Sequence, residues 1–204
     1  MRLRSWTRCG LLILATAPAL ALAGLGTDEA DEPKPRAVLA GHTAGIYTMA
    51  QSHDGKLLAT GGDEGRIGLW ELPSGRLIKQ FQAHRQRVSG LVFAPDDKTL
   101  VSVSFDTTGR VWELPSGRLL TELKDHTDRI GTVALSPDGR LVATGGFDHR
   151  IKLWDAKTGR ELAVMNGHGS RVSVVSFLAD GKTLATAGHD GAARLWDVAE
   201  VLGR

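Results

Sequence analysis

Short apolar runs and turn-forming clusters alternate along most of this chain, and the stretch from Ile130 to Met165 shows the pattern most clearly. Ile130 to Leu135 is a β-rich run, Ser136-Pro137-Asp138-Gly139 is a turn, and Leu141 to Thr144 is a second run. After a turn at Gly145 to His149 come Ile151-Lys152-Leu153-Trp154, a turn ending in Thr158-Gly159-Arg160, and the run Leu162-Ala163-Val164-Met165. Four antiparallel strands, a to d, are predicted. The inner runs are apolar at nearly every position, as expected where both faces of a sheet are covered by neighbouring sheets. Asp-Gly pairs such as Asp54-Gly55 and Asp138-Gly139 fall at the a-to-b hairpins, where they supply turn geometry.

The same pattern recurs on a fixed lattice. Trp70, Trp112, Trp154 and Trp196 are 42 residues apart, and so are His42, His84, His126 and His168. Each tryptophan is followed by an acid: Glu71, Glu113, Asp155 and Asp197. A Gly-His pair, a Ser/Thr-bearing second strand, an Asp turn and Trp-Asp at this period resemble the WD40 family, over residues 37 to 204. The resemblance implies an all-β fold of four propeller blades, at about 37–78, 79–120, 121–162 and 163–204. It also implies a buried tetrad in each blade, in which the indole N–H donates to a hydroxyl, the hydroxyl to imidazole, and the imidazole to a carboxylate. The second blade offers Trp112, Ser102, His84 and Asp106, the third Trp154, Thr144, His126 and Asp148, and the fourth Trp196, Thr186, His168 and Asp190. The first has Trp70, Thr60 and His42, but Glu64 stands at the acid position, so an extra methylene must be accommodated. Blades two and three carry Ala83 and Asp125 where the others have glycine before histidine.

By the same resemblance, Arg36 to Leu39 is expected to serve as a strand d that completes the blade begun by the other end of the chain. Four blades leave three arrangements open: a self-closed ring or open arc, half of an eight-bladed homodimeric ring, or a fragment of a longer propeller.

Residues 1–23 stand apart from the repeat. Arg2, Arg4 and Arg8 precede an uncharged apolar stretch from Gly10 to Ala23 that ends in Ala21-Leu22-Ala23, the pattern of a cleaved secretory signal peptide. The stretch is short for a membrane span, holds Pro18, and leads into an acidic, proline-bearing linker at 24–36, so no span is expected after cleavage. Secretion or periplasmic residence follows as the expectation. The single cysteine, Cys9, lies within the leader, which leaves the mature chain without disulfides. Removing the three leader arginines from 25 basic residues leaves 22 against 23 acidic ones, and the charge argument for nucleic acid disappears with them.

Catalytic signatures are absent from the sequence: there is no nucleophile elbow, phosphate loop or His-Glu-x-x-His. The repeated histidines fall one to a blade without a second ligand at short spacing, so neither metal nor cofactor is expected. Strand-a residues such as Ala50, Gly90, Val133 and Val174 are too apolar to suggest a polar channel site. What remains is the face formed by the d-to-a and b-to-c loops, where related propellers contact partners. Candidates there are Arg87, Arg129 and Arg171, with Tyr47, and with Asp63, Phe105, Phe147 and His189 just before the tetrad acids. Arginine and aromatic side chains are enriched at binding hot spots. The expectation is a non-enzymatic interaction scaffold of the cell envelope or exterior that binds a protein or peptide of acidic character. A self-assembling structural module and a ligand-binding or enzymatic propeller are the alternatives.

Overall fold

The computed structural model describes residues 34–203. The expected signal peptide, Cys9 and most of the acidic linker lie outside the described residues. Arg36–Arg204 forms one compact unit.

That unit is a run of antiparallel meanders. β1 (Ile46–Gln51), β2 (Leu57–Gly62), β3 (Arg66–Glu71) and β4 (Arg76–Gln82) form the first sheet. β5 (Val88–Phe93), β6 (Thr99–Ser104), β7 (Thr108–Glu113) and β8 (Arg118–Lys124) form the second, and β9 (Ile130–Leu135), β10 (Leu141–Gly146), β11 (Arg150–Asp155) and β12 (Glu161–Asn166) the third. The fourth sheet has three strands: β13 (Val172–Phe177), β14 (Thr183–Gly188) and β15 (Ala193–Asp197). The chain then turns into α1 (Val198–Val201), where Asp197 caps the helix by accepting from the N–H groups of Ala199 and Glu200 at 2.8 and 3.0 Å. The strands predicted within 130–165 all form.

Strand identity follows from composition, with β-branched and aromatic residues in the runs and Gly, Asp and Ser between them. The sheets pack through their strands a: β1 lies beside β5, β5 beside β9, and β9 beside β13. At the first and third of these junctions the close approach requires glycine. A Cβ on Gly61 would stand 2.7 Å from Val88 Cγ1, and one on Gly145 2.6 Å from Val172 Cγ1. Three apolar clusters result, centred on Leu69 with Phe93, Val111 with Val142, and Leu153 with Leu184.

One expectation fails. Arg36 to Leu39 is not a strand, and among the described residues no fourth strand joins β15. The segment lies instead against the first blade: a Cβ on Gly75 would meet Leu39 Cδ2 at 2.9 Å and Ala37 Cβ at 3.4 Å. One lattice period later, Phe81 of β4 stands 3.1 Å from the corresponding point on Gly117. Arg36–Leu39 therefore occupies the place of a strand d from a preceding blade, and because β15 lies in the last blade of the run, its backbone has no ladder to join there. Among the described residues there are consequently three d strands, β4, β8 and β12, and not four.

Candidate protein-binding face

Each blade is pinned by its tetrad. In the second, Trp112 Nε1 donates to Ser102 Oγ at 2.8 Å, the serine hydroxyl contacts His84 Nε2 at 2.7 Å, and His84 Nδ1 faces the Asp106 carboxylate at 3.1 Å. The third repeats this with Trp154, Thr144, His126 and Asp148 at 2.8 Å throughout, and the fourth with Trp196, Thr186, His168 and Asp190 at 2.9 to 3.0 Å. Burial holds the His84 imidazole below its ordinary pKa, against the pull of Asp106. A neutral His84, donating from Nδ1 and accepting at Nε2, satisfies every member of the chain. Burial pushes the Asp106 carboxyl up, but hydrogen bonds from His84, Thr108 and the Arg85 N–H outweigh it, and the net pKa falls well below the usual range.

Glu64 joins the first tetrad despite its length: Oε1 lies 2.6 Å from His42 Nδ1, with His42 Nε2 2.8 Å from Thr60 Oγ1 and Trp70 Nε1 2.8 Å from the same hydroxyl. The cost is local. Glu64 Oε2 is buried without a hydrogen-bond partner. In the other blades the aspartate also accepts from the backbone N–H after the histidine, at Arg85 (2.9 Å), Thr127 (3.1 Å) and Gly169 (3.0 Å).

Those carboxylate bonds clamp the d-to-a loop to the b-to-c loop, and a second backbone bond sets the pairing of side chains on the face. The N–H groups of Asp63, Phe105, Phe147 and His189 donate to the carbonyls of Gly45, Arg87, Arg129 and Arg171 at 2.8 to 3.1 Å. Every residue just before a tetrad acid is thus held beside the residue three after the histidine. Consecutive blades then interleave the two sets. The Arg87 guanidinium stands 4.4 Å from the Tyr47 ring and 5.2 Å from Phe105, Arg129 lies 5.3 Å from Phe105 and 6.0 Å from Phe147, and Arg171 is 5.1 Å from Phe147. These are cation–π distances. Phe105 and Phe147 meet edge to face at 5.5 Å, and the Tyr47 and Phe105 rings lie tilted at 6.3 Å. His189 ends the row, with its Nδ1 3.4 Å from Arg171 Nη2.

All eight candidate side chains are therefore brought together, and their charges are unequally met. Asp63 pairs with Arg87 through Nε at 2.6 Å and Nη2 at 3.2 Å. Among the described residues no carboxylate pairs with the guanidinium of Arg129 or Arg171, since the neighbouring Asp128 accepts instead from the Arg129 backbone N–H at 2.7 Å. A cavity of about 180 Å³ opens between Tyr47, Phe105, Phe147, Arg171 and His189. A groove of about 560 Å³ adjoins it at Asp63, Arg85, Arg87 and Arg129. Arg85 adds a cation to the face that the spacing argument had missed; its place directly after His84 was the available signal. Ser89, at the lattice position of Tyr47, does not take part, because it is buried and donates to the Ile130 carbonyl.

A further cavity of about 710 Å³ lies elsewhere, between the second and third blades at their a-to-b and c-to-d turns. It exists because Leu135 and Ala156 stand there where adjacent junctions have Phe93 with Leu114, and Phe177 with Val198. Its two carboxylates, Asp96 and Asp138, are committed to N–H groups of their own turns. No group of three or more potential metal ligands occurs among the described residues, and no helix there is long and apolar enough to cross a membrane.

Antiparallel blades of four strands, three in the fourth, joined through their inner strands and each locked by a Trp–Ser/Thr–His–acid chain, define a β-propeller repeat protein whose loops form a common face. The family model described as "WD domain, G-beta repeat" matches residues 33–71, 75–113, 117–155 and 159–197. The chain belongs to the WD40 family. It is 43% identical over 61 residues to Protein ROOT INITIATION DEFECTIVE 3 of Arabidopsis thaliana, covering 30% of this chain and 14% of that protein. It is 42% identical over 55 residues to the guanine nucleotide-exchange factor SEC12 of Rattus norvegicus (27% and 13%), and 46% identical over 72 residues to DDB1- and CUL4-associated factor 13 of Dictyostelium discoideum (34% and 16%). The matched part of this chain thus spans less than a fifth of the length of each of these relatives.

Proposed function

We propose that this chain is a non-catalytic interaction scaffold of the cell envelope or exterior, and that its arginine–aromatic face docks an acidic segment of a protein partner. The observation that carries the reading is the charge state of the face. Arg129 and Arg171 are held on phenylalanine rings with no carboxylate of their own, beside a cavity of about 180 Å³. A guanidinium fixed on an aromatic plane keeps its edge donors free, and a carboxylate arriving there gains charge-assisted hydrogen bonds without having to order the arginine. One relative, named as an associated factor of DDB1 and CUL4, bears a name that itself denotes association with other proteins. The envelope setting rests on the leader pattern of residues 1–23.

A fluorescent peptide of repeated Glu-Glu-Tyr units is the direct probe. Binding by the purified chain should weaken about tenfold or more when Arg87, Arg129 and Arg171 are all replaced by alanine, and should weaken with added salt. The melting temperature should stay within about 3 °C of the parent, because these are surface positions. Undiminished binding by a folded triple variant refutes the proposed face. Export is read separately, as an N-terminus at Gly24 on the chain recovered outside the cytoplasm.

A further inference from the structure

The junction between the second and third blades lacks two things that the junction before it has. Between the first and second blades the a-to-b turns are bridged: Asp97 accepts from the His53 and Asp54 N–H groups at 2.8 and 2.9 Å, and its Oδ1 lies 2.9 Å from His53 Nδ1. One period on, Pro95 and Gly139 stand at the places of His53 and Asp97, so neither side chain of that bridge is present. The second loss is apolar. Phe93 and Leu114 of the second blade are 2% and 8% exposed, in one cluster with Leu69 of the first. Phe177 and Val198 of the fourth blade pack in the same way into the cluster of Leu153. Leu135 and Ala156 are too short to fill the equivalent space, and both stay half-buried beside Val101 and Val111.

The result is the cavity of about 710 Å³, a size that suits small organic molecules. Both blades that form it pack against a further blade on their other side, so its walls lie inside the run of repeats. Val101, Val111, Leu120, Leu135 and Ala156 make those walls apolar, and the charged residues lining it are Asp96, Asp138 and Lys157. Two carboxylates thus stand against one ammonium. Each carboxylate uses Oδ1 for its own turn, Asp96 accepting from the N–H groups of Lys98 and Thr99, and Asp138 from the Ser136 hydroxyl and the Arg140 N–H. Each Oδ2 keeps only a long contact, to the Thr99 hydroxyl at 3.4 Å and to Arg140 Nε at 3.8 Å. The bonds from Ser136 and Arg140 hold the Asp138 carboxyl below its usual pKa range, so it is ionised near neutral pH.

We propose that this cavity binds a small organic cation with an apolar body, whose rings or chain take the space that Phe and Leu or Val side chains fill at the neighbouring junctions, while its ammonium donates to Oδ2 of Asp96 or Asp138. An anionic amphiphile meets two carboxylates for one lysine there, and an uncharged one leaves both Oδ2 atoms without a donor. The site lies at the turns opposite the arginine–aromatic face and has the opposite sign of charge, so the inference does not rest on what that face binds.

Dansylcadaverine, a naphthalene fluorophore that carries a primary amine, is the probe, titrated into the purified full chain. The expected result is a saturable rise in emission with a dissociation constant below about 100 µM, and binding about fivefold or more weaker when the probe's amine is acetylated. Ala156→Leu, which supplies the side chain found at Leu114, should weaken binding about tenfold or more without lowering the melting temperature. Leu135→Phe, the other half of the plug, gives a second reading if Ala156→Leu fails to fold. Asp138→Asn keeps both Oδ1 bonds, and should weaken the amine about threefold or more while leaving the acetylated probe unaffected; Lys157→Glu should tighten the amine. No saturable signal up to about 100 µM, parental affinity in a folded plugged variant, or equal affinity for the amine and its acetylated form overturns the proposal. The Glu-Glu-Tyr peptide assay is a separate readout, because none of these substitutions touches the arginine face.

Discussion

The third and fourth blades have the same sequence pattern and different physical standing. In the third, Leu153 and Trp154 are buried, Thr144 lies between Trp154 and His126, and Lys152 is held inside by Glu161 of β12 and the Asp125 carbonyl at 2.9 Å. In the fourth, the equivalent leucine stands in solvent, Trp196 is partly exposed, and Arg194 spends its charge on the tetrad acid. Both tetrads form, because a tetrad needs only strands a to c and the loop before them. Burial of the outer strands needs a strand d and a following blade. The repeat motif therefore secures the inside of a blade, and neighbours secure the rest.

The difference should be largest in paired deletions. Leu153→Ala is expected to cost about 3 kcal/mol from lost transfer energy and the cavity left behind, and Leu195→Ala less than about 0.5 kcal/mol under monomeric conditions. Equal losses in chemical denaturation would erase the distinction between the blades. Removing the counter-ion comes next. Glu161→Ala removes the nearer carboxylate of the buried Lys152 ammonium, leaving that of Asp125 at 3.6 Å, and should cost about 2 kcal/mol, less than a fully buried pair because Glu161 is partly exposed. Glu161→Gln should recover part of this by accepting the hydrogen bond.

Acid should act on the tetrads in a set order. The His84 pKa is depressed in the fold, so its contribution is complete above the unfolded value near 6.5 and is lost as pH falls through that region. Asp106 and Asp148 are depressed as well, so their contributions are complete above the unfolded value near 3.9 and are lost at lower pH still. Thermal melts should then show a first loss of stability below about pH 6.5 that His84→Gln reduces, and a second below about pH 4. A flat profile between pH 7 and 5 would contradict the neutral, buried His84. The smallest effect is expected in the first blade: Glu64→Asp, which removes the unpartnered Oε2 and restores the geometry of the other three tetrads, should gain about 0.5–1 kcal/mol.

Most of the fold was legible in the sequence, because each blade is local. Its strands are neighbours in the chain, its turns announce themselves through Gly and Asp, and its tetrad residues recur at one spacing. The composition of the candidate face was legible for the same reason, since lattice positions map onto equivalent points of successive loops. Three things were decided by tertiary structure. The ladder of Arg87, Arg129 and Arg171 between Tyr47, Phe105 and Phe147 depends on the close packing of adjacent blades, which no spacing within one repeat encodes. The divided charge of that face, with Arg87 met by Asp63 and Arg129 and Arg171 unmet, depends on which side chains converge in space. The position of Arg36–Leu39 was misread because a strand's identity is set by the edge it pairs with. Its sequence suits a strand d, but the chain folds with it against the first blade, where it pairs with no strand, while the edge of β15 stays open.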